Sequence, residues 1–282
     1  MPGRVRLYLP HLRLPFQLTL APIFLWGALL AGGRWGWAAF AAFLSLHLFL
    51  YPAATAFNSA YDRDEGPVGG LEAPPPVPPG LLGFSLALGA AGVLLAIPAG
   101  ATFLLLYALA AGWTAAYSHP STRWKAGPVS SALAIALGQG GVGFAAGWAA
   151  VAPLDIASPF FLLGAGGAAL TAVGLYPATQ VFQVAEDSAR GDRTLAVTLG
   201  PARALRLGAV LLLAGGALAA WTASRRFGGL DAGAVALGYL LLIAWQLRLA
   251  ATVDSPGLYR RAMRLVNAGT AAFLLFLLFE TV

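Results

Sequence analysis

The chain contains no cysteine, which excludes disulfides, thiol nucleophiles and thiolate metal ligands. Its three histidines, His11, His47 and His119, stand too far apart for the close spacing of a zinc site. There is a single lysine, Lys125. Only 10% of the residues are charged, where a soluble domain carries roughly a quarter. Apolar residues take the place of charge: 59% of the chain is hydrophobic and its mean hydropathy is +0.76. This composition excludes an ordinary soluble domain and reads as one integral membrane domain over residues 1–282. The net charge of +6 and a pI near 10.1 do not point to nucleic acid. The basic residues sit in short loops between apolar spans, where membrane topology alone places them. Membrane lipid is therefore the expected surrounding, and nucleic acid is not an expected partner.

A helix needs about 20 apolar residues to cross a bilayer. Nine such runs are present, near 15–32, 35–57, 80–98, 100–118, 128–151, 158–182, 203–222, 230–250 and 261–280. Turn residues or charges separate them, from Gly32-Gly33-Arg34 to the stretch between Asp254 and Arg261. The break at Pro98-Ala99-Gly100 holds almost nothing polar and reads as a tight helical hairpin. The basic N-terminal segment, from Arg4 to Arg13, is expected to lie along the membrane interface rather than to form a cleaved leader. With the N-terminus inside, inner segments hold fourteen basic residues, and outer loops hold only Arg34, Arg225 and Arg226. The positive-inside rule thus places the N-terminus in the cytoplasm. Nine spans place the C-terminus outside. The expected fold is all-α, with nine transmembrane helices around a central cavity.

Acid is scarce and clustered. Seven of the eleven carboxylates lie in or just after two polar stretches: Asp62, Asp64, Glu65 and Glu72 in one, Glu186, Asp187 and Asp192 in the other. Each stretch closes an apolar run, the second and the sixth, so both emerge on the inner face. Carboxylates this close to hydrocarbon are expensive unless they pair or bind a cation. Asn58, Asp62 and Glu65 fall at i, i+4 and i+7, on one helical face. Asp64 lies off that face and reaches inward only if the helix unwinds. Gln180, Gln183 and Asp187 repeat the spacing, with Glu186 beside them. Oxygen ligands on two facing helix ends suit Mg²⁺, so Asn58, Asp62, Asp64, Glu65, Glu186 and Asp187 are the candidate metal ligands. Arg63, Arg190 and Arg193 accompany these acids. The loop from Tyr117 to Lys125 adds Arg123 and Lys125. Carboxylate-held Mg²⁺ with such cations is suited to gripping a diphosphate and stabilising it as a leaving group. The bland reading of each arginine is a charge partner or a headgroup anchor. His47 and Tyr51 lie on the second run near the same face, where a packed core histidine is the ordinary outcome.

These stretches resemble the UbiA superfamily of intramembrane prenyltransferases. Its members carry Asn-x-x-x-Asp-x-x-x-Asp after helix two and Asp-x-x-x-Asp after helix six. Asn58 to Glu65 match the first motif, and Glu186-Asp187 through Gly191-Asp192-Arg193-Thr194-Leu195 resemble the second. Two positions depart from the pattern: Gly66 stands where the first motif has its third acid, and Gln183 where the second has its first. The resemblance implies a Mg²⁺-dependent enzyme that moves an isoprenyl group from a prenyl diphosphate to a lipophilic, often aromatic, acceptor. Asn58, Asp62 and Asp187 would be central to catalysis. Arg63, Arg123, Lys125, Arg190 and Arg193 would bind the diphosphate. His47, Tyr51, Tyr117, Gln139, Tyr176, Gln180 and Gln183 would line the substrate cavity, with Tyr51, Tyr61, Tyr117 or Tyr176 offering a ring face to an allylic cation.

Three other readings stand beside this one. A terpene cyclase would use the same ionisation with the substrate's own alkene as nucleophile. A cation-coupled transporter would use the paired acids, although transporters tend to break their helices at mid-membrane. A scaffold without catalysis would account for Gly66 and Gln183. Donor chain length, acceptor and oligomeric state are open at this stage.

Overall fold

Lipid offers no partner to a free backbone N–H or C=O, so long apolar runs close their hydrogen bonds within helices. A computed structural model describes residues 2–280 of the chain. Met1, Thr281 and Val282, and the side chains of Pro2 and Arg4, lie outside the described residues. Eight helical stretches are long and apolar enough to cross a membrane. They are α1 (Val5–Ala31), α2 (Trp37–Asp62), the joined pair α3 (Leu81–Ala96) and α4 (Gly100–Ser118), α5 (Pro128–Val151), α6 (Pro159–Gln180), α9 (Pro201–Arg226), α10 (Gly229–Ala251) and α11 (Leu258–Phe279). Two short helices, α7 (Val184–Ala189) and α8 (Leu195–Leu199), lie between α6 and α9. No strand occurs among the described residues beyond an isolated bridge between Val68 and Leu71.

The joined pair is one apolar stretch of 38 residues, Leu81–Ser118. As a straight helix it would run about 57 Å, nearly twice a bilayer core. Instead Gly100, at φ 87, turns the chain back, a backbone setting open to a residue without Cβ. The Tyr107 hydroxyl then donates to the Gly89 carbonyl at 2.7 Å, a contact across eighteen residues that only a hairpin allows.

Small residues bring the helices together where apolar attraction is weak. A Cβ on Gly27 of α1 would strike the Phe144 carbonyl of α5, and one on Gly147 would strike the Phe24 carbonyl in return. Gly174 of α6 and Gly208 of α9 meet in the same way. Gln246 of α10 is fully buried, and its amide donates to the Gly174 and Leu205 carbonyls at 2.9 and 3.0 Å. Three helices are thereby fixed at one level. Both α2 and α5 contain a turn wider than α, at Ser45–Leu50 and Ile135–Val142. Such turns shift side chains around the helix axis and often mark functional walls. In α5 this turn points Ile135, Gly138 and Gln139 into a central cavity.

The ends of α2, α4, α6 and α10 and the starts of α5 and α11 share one end of the bundle. The loop after α2 is held there by Tyr8, whose hydroxyl donates to the Pro79 carbonyl at 2.9 Å, and by Arg260 of α11, whose Nε sits 2.9 Å from Glu72. At the opposite end Phe273 and Phe276 of α11 pack on Trp26 of α1, with ring centroids 5.6 and 6.4 Å apart.

Candidate functional site

Three arginines, Arg13, Arg63 and Arg123, are the non-glycine residues with positive φ among the described residues, at 47, 51 and 41°. The left-handed setting is unfavourable for a side chain with Cβ, by roughly 1–2 kcal/mol. All three lie around one cluster of acids. Arg63 stops α2, its N–H returning to the Ser59 carbonyl at 3.1 Å. The turn it makes carries Asp64, which the helical spacing put off the site face, into a buried position. Arg123 turns the loop after α4 so that Lys125 is also buried. Arg13 breaks α1 and is itself buried rather than lying among headgroups, as an interfacial segment would have it. Its guanidinium donates to Ser59 Oγ at 2.9 Å and reaches Asp64 at 4.0 Å.

The second acidic stretch is shaped by α7 and the left-handed Gly191, which returns Asp192 to the cluster. The Thr194 hydroxyl caps α8, accepting from the Val197 N–H, while it donates to Asp187 Oδ2 at 3.2 Å. The Arg193 N–H donates to the Ala126 carbonyl at 2.7 Å and ties this stretch to the lysine loop.

The side chains then interlock. Lys125 Nζ donates to Asp62 Oδ2 and, at 2.8 Å, to Asn58 Oδ1, which also accepts from Ser118 Oγ at 2.8 Å. Arg123 grips Asp192 through two bonds of 2.9 Å and lies 3.7 Å from Asp62 Oδ1. Arg190 donates to Asp64 Oδ1 at 2.7 Å and to Asp187 Oδ1 at 3.4 Å. Four acids, Asp62, Asp64, Asp187 and Asp192, thus face four bases, Arg13, Arg123, Lys125 and Arg190. Burial raises the Asp187 carboxyl to about 6, with Arg190 and Thr194 pulling the other way. Burial and the charge of Asp62 also raise Asp64, against Arg190 and Arg13. Burial lowers Lys125, and the charge of Asp62 opposes it.

Below this cluster lies a cavity of about 550 Å³. Tyr51, Trp113, Tyr117, Gln139, Tyr176, Gln180 and Gln183 line it, and it ends at Trp26, Phe273 and Phe276. The Tyr117 and Tyr176 hydroxyls are 2.6 Å apart in its wall.

The sequence candidates fall into two groups. Asn58, Asp62, Asp64, Asp187, Lys125, Arg190 and all the expected lining residues except His47 face the cavity. His47 packs edge-on to Phe24 and Tyr51 and stacks on Phe43, whose carbonyl accepts from its Nδ1 at 2.9 Å. Arg63, Glu65 and Arg193 are exposed. Glu186 is engaged elsewhere: its two carboxylate oxygens accept from the Glu65 and Gly66 N–H groups at 3.0 and 3.2 Å. A Cβ on Gly66 would sit 2.9 Å from that carboxylate. The place of the missing third acid of the first stretch is therefore next to an acid from the second. Arg13 and Asp192 were not among the sequence candidates. Asp192 carried a signal, an acid at the end of the second stretch, whereas Arg13 lies too far away in the chain for spacing to reveal it.

An ion-holding role is compatible with these atoms. Asp62 Oδ1 and Asp64 Oδ2 are buried without a hydrogen-bond partner. Among the described residues no three His, Cys, Asp or Glu side chains gather at one point. That fits Mg²⁺, which takes one or two carboxylates and completes its shell with water and substrate phosphate.

Similarity to known proteins agrees with the geometry. The chain is 20% identical to a UbiA homologue from Archaeoglobus fulgidus bound to GPP and Mg²⁺, over 96% of this chain and 99% of that one, with a TM-score of 0.63. An apo UbiA homologue from Aeropyrum pernix K1 is 18% identical over 95% and 98%, with a TM-score of 0.68. A digeranylgeranylglyceryl phosphate synthase structure is 16% identical over 99% and 97%, with a TM-score of 0.62. At these identities the likeness is one of fold. No curated protein matches the chain in sequence. The profile of the UbiA prenyltransferase family matches residues 20–268, and with its apolar helices and clustered acids the chain belongs to that family of integral membrane proteins.

Proposed function

We propose that the chain is a single-domain, Mg²⁺-dependent prenyltransferase that moves an isoprenyl group from a prenyl diphosphate to a lipophilic acceptor. The observation that carries this reading is the charge balance at the cavity mouth. Four buried acids and four bases leave the cluster near neutral, so a diphosphate enters favourably only with a cation that releases the bases from the acids. Asp62 and Asp187, one carboxylate from each stretch, would hold that Mg²⁺, with Asn58 and Asp64 beside them. When bound, the ion supplies positive charge at the diphosphate oxygens. Lys125, Arg123 and Arg190 then donate to the departing pyrophosphate as the allylic C–O bond breaks. The walls beneath exclude water, which protects the allylic cation. The rings of Tyr51, Tyr117 and Tyr176 offer that cation their electron-rich faces. The acceptor attacks the allylic carbon and afterwards loses a proton.

The same reading orders the topology. Counting the hairpin at Gly100 as two crossings gives nine. The excess of basic residues at the site end supports a reading with the site and the N-terminus on the cytoplasmic side and the C-terminus outside. Calorimetric titration with geranyl diphosphate tests the binding step. Wild type is expected to bind with Mg²⁺ and not with EDTA, and Asp62→Ala and Asp187→Ala are each expected to bind at least about 100-fold more weakly, the scale of losing a hydrogen-bonded charge. Equal binding with EDTA would sink the proposal.

A further inference from the structure

A second cavity, of about 310 Å³, lies at the site end of the bundle but outside the acid cluster, between the end of α10 and the start of α11. Trp245, Leu249 and Pro256 form its apolar walls, and Arg248, Arg261 and Arg264 its charge. Among the described residues no carboxylate lines it. Arg261 is held in place: it donates to Thr252 Oγ1, the Thr252 carbonyl and the Ser255 carbonyl at 2.7, 2.8 and 2.7 Å, while its Nε is buried without a partner. Arg261 and Arg264 stand three apart on one face of α11, and Arg248 approaches from α10. Among the described residues neither Arg248 nor Arg264 has a carboxylate within ion-pair distance. Their neighbour Arg260 shows the contrast, since it turns away to Glu72. In the active cluster each buried base has a facing acid. Here three guanidinium groups line a pocket with none: Arg248 and Arg264 are exposed and Arg261 is half-buried, and their shared positive charge favours an anion among them.

We propose that this pocket binds a phosphate ester group, with the headgroup of an anionic membrane lipid as its source. Guanidinium forks match phosphate oxygens in pairs. Basic pockets between membrane helices are suited to anionic headgroups. Trp245, 42% exposed, provides an amphipathic wall where an acyl chain would leave the pocket. A free phosphate would use the same three arginines and leave the apolar walls bare, so the test includes both.

The experiment is native mass spectrometry on purified full-length protein, wild type against the double variant Arg248→Gln/Arg264→Gln. The probes are phosphatidylglycerol, phosphatidylcholine and inorganic phosphate. Binding of geranyl diphosphate is measured alongside, to show that the variant is folded. Wild type is expected to retain phosphatidylglycerol at least tenfold more tightly than phosphatidylcholine, and the double variant to lose that preference while still binding geranyl diphosphate. Arg248→Lys/Arg264→Lys is expected to keep part of it, since charge remains. Tight binding of inorganic phosphate, lost in the double variant, would support the phosphate site but assign it to the free ion. Equal lipid preference in wild type and double variant would overturn the proposal.

Discussion

At the scale of the residue, the site keeps charge where burial disfavours it. Asp187 is 7% exposed and its carboxyl is raised from 3.8 to about 6. That shift corresponds to roughly 3 kcal/mol against the ionised form. For an acid raised in the folded state, the penalty is present above the folded value and disappears as pH falls towards the unfolded one. In EDTA the melting temperature in detergent is therefore expected to rise between pH 7 and pH 5. Asp187→Asn should flatten that slope, melt no lower than wild type at pH 7, and lose activity. A variant that melts much lower would show that Asp187 serves the fold instead. Glu186 plays a different part, holding the backbone of Glu65 and Gly66. Glu186→Gln keeps one acceptor and is expected to lower kcat/KM only several-fold. Asp62→Asn is expected to lower it by roughly 100-fold or more, the scale of losing a charged group that acts on the transition state. Steady-state kinetics on the two variants side by side decides between these roles. A loss in Glu186→Gln as large as that in Asp62→Asn would make Glu186 a metal ligand.

At the scale of the element, much of the fold was legible in the sequence, because lipid imposes a minimum length on every apolar run. The runs expected at 100–118 and 128–151 are the helices Gly100–Ser118 and Pro128–Val151 to the residue. The clustering of scarce acids on two helix ends marked the candidate site, and the structure brings Asp62, Asp64, Asp187 and Asp192 together there. Local spacing did not reveal what depends on backbone shape. Asp64 reaches inward only if the helix unwinds, and a single left-handed arginine, Arg63, unwinds it. The wide turns in α2 and α5 left no mark in the hydropathy. His47 shared a face with the motif by arithmetic, but the turn that contains it directs it into the packed layer beside Phe24. Close helix approach carries its own prediction. Gly147→Leu forces a side chain against the Phe24 backbone and is expected to lower detergent stability by several kcal/mol, an overpacking effect of about 1–3 kcal/mol or more. A Cβ on Gly238 would meet no neighbour within 4 Å, and Gly238→Leu is expected to melt like wild type. Circular dichroism melts of both variants make the comparison.

At the scale of the whole molecule, the bundle places a near-neutral ionic cluster over an apolar cavity that ends on aromatic rings. Trp26, Phe273 and Phe276 close the far end, so they bear on how long a donor fits. Phe273→Ala is expected to shift preference towards a donor longer by one isoprene unit, read as the ratio of kcat/KM values for adjacent chain lengths. An unchanged ratio would mean that the chain runs elsewhere. The central claim is ionisation of a prenyl diphosphate at the acid cluster. Its most direct test is pyrophosphate release by the purified protein, supplied with geranyl, farnesyl and geranylgeranyl diphosphate and a panel of aromatic and alkene acceptors. Release that requires Mg²⁺, is stimulated by an acceptor and is lost in Asp62→Ala and Asp187→Ala is the expected result. Release that proceeds fully without acceptor would redirect the assignment to a cyclase. No release from any donor and acceptor, in protein that remains folded, would contradict the account.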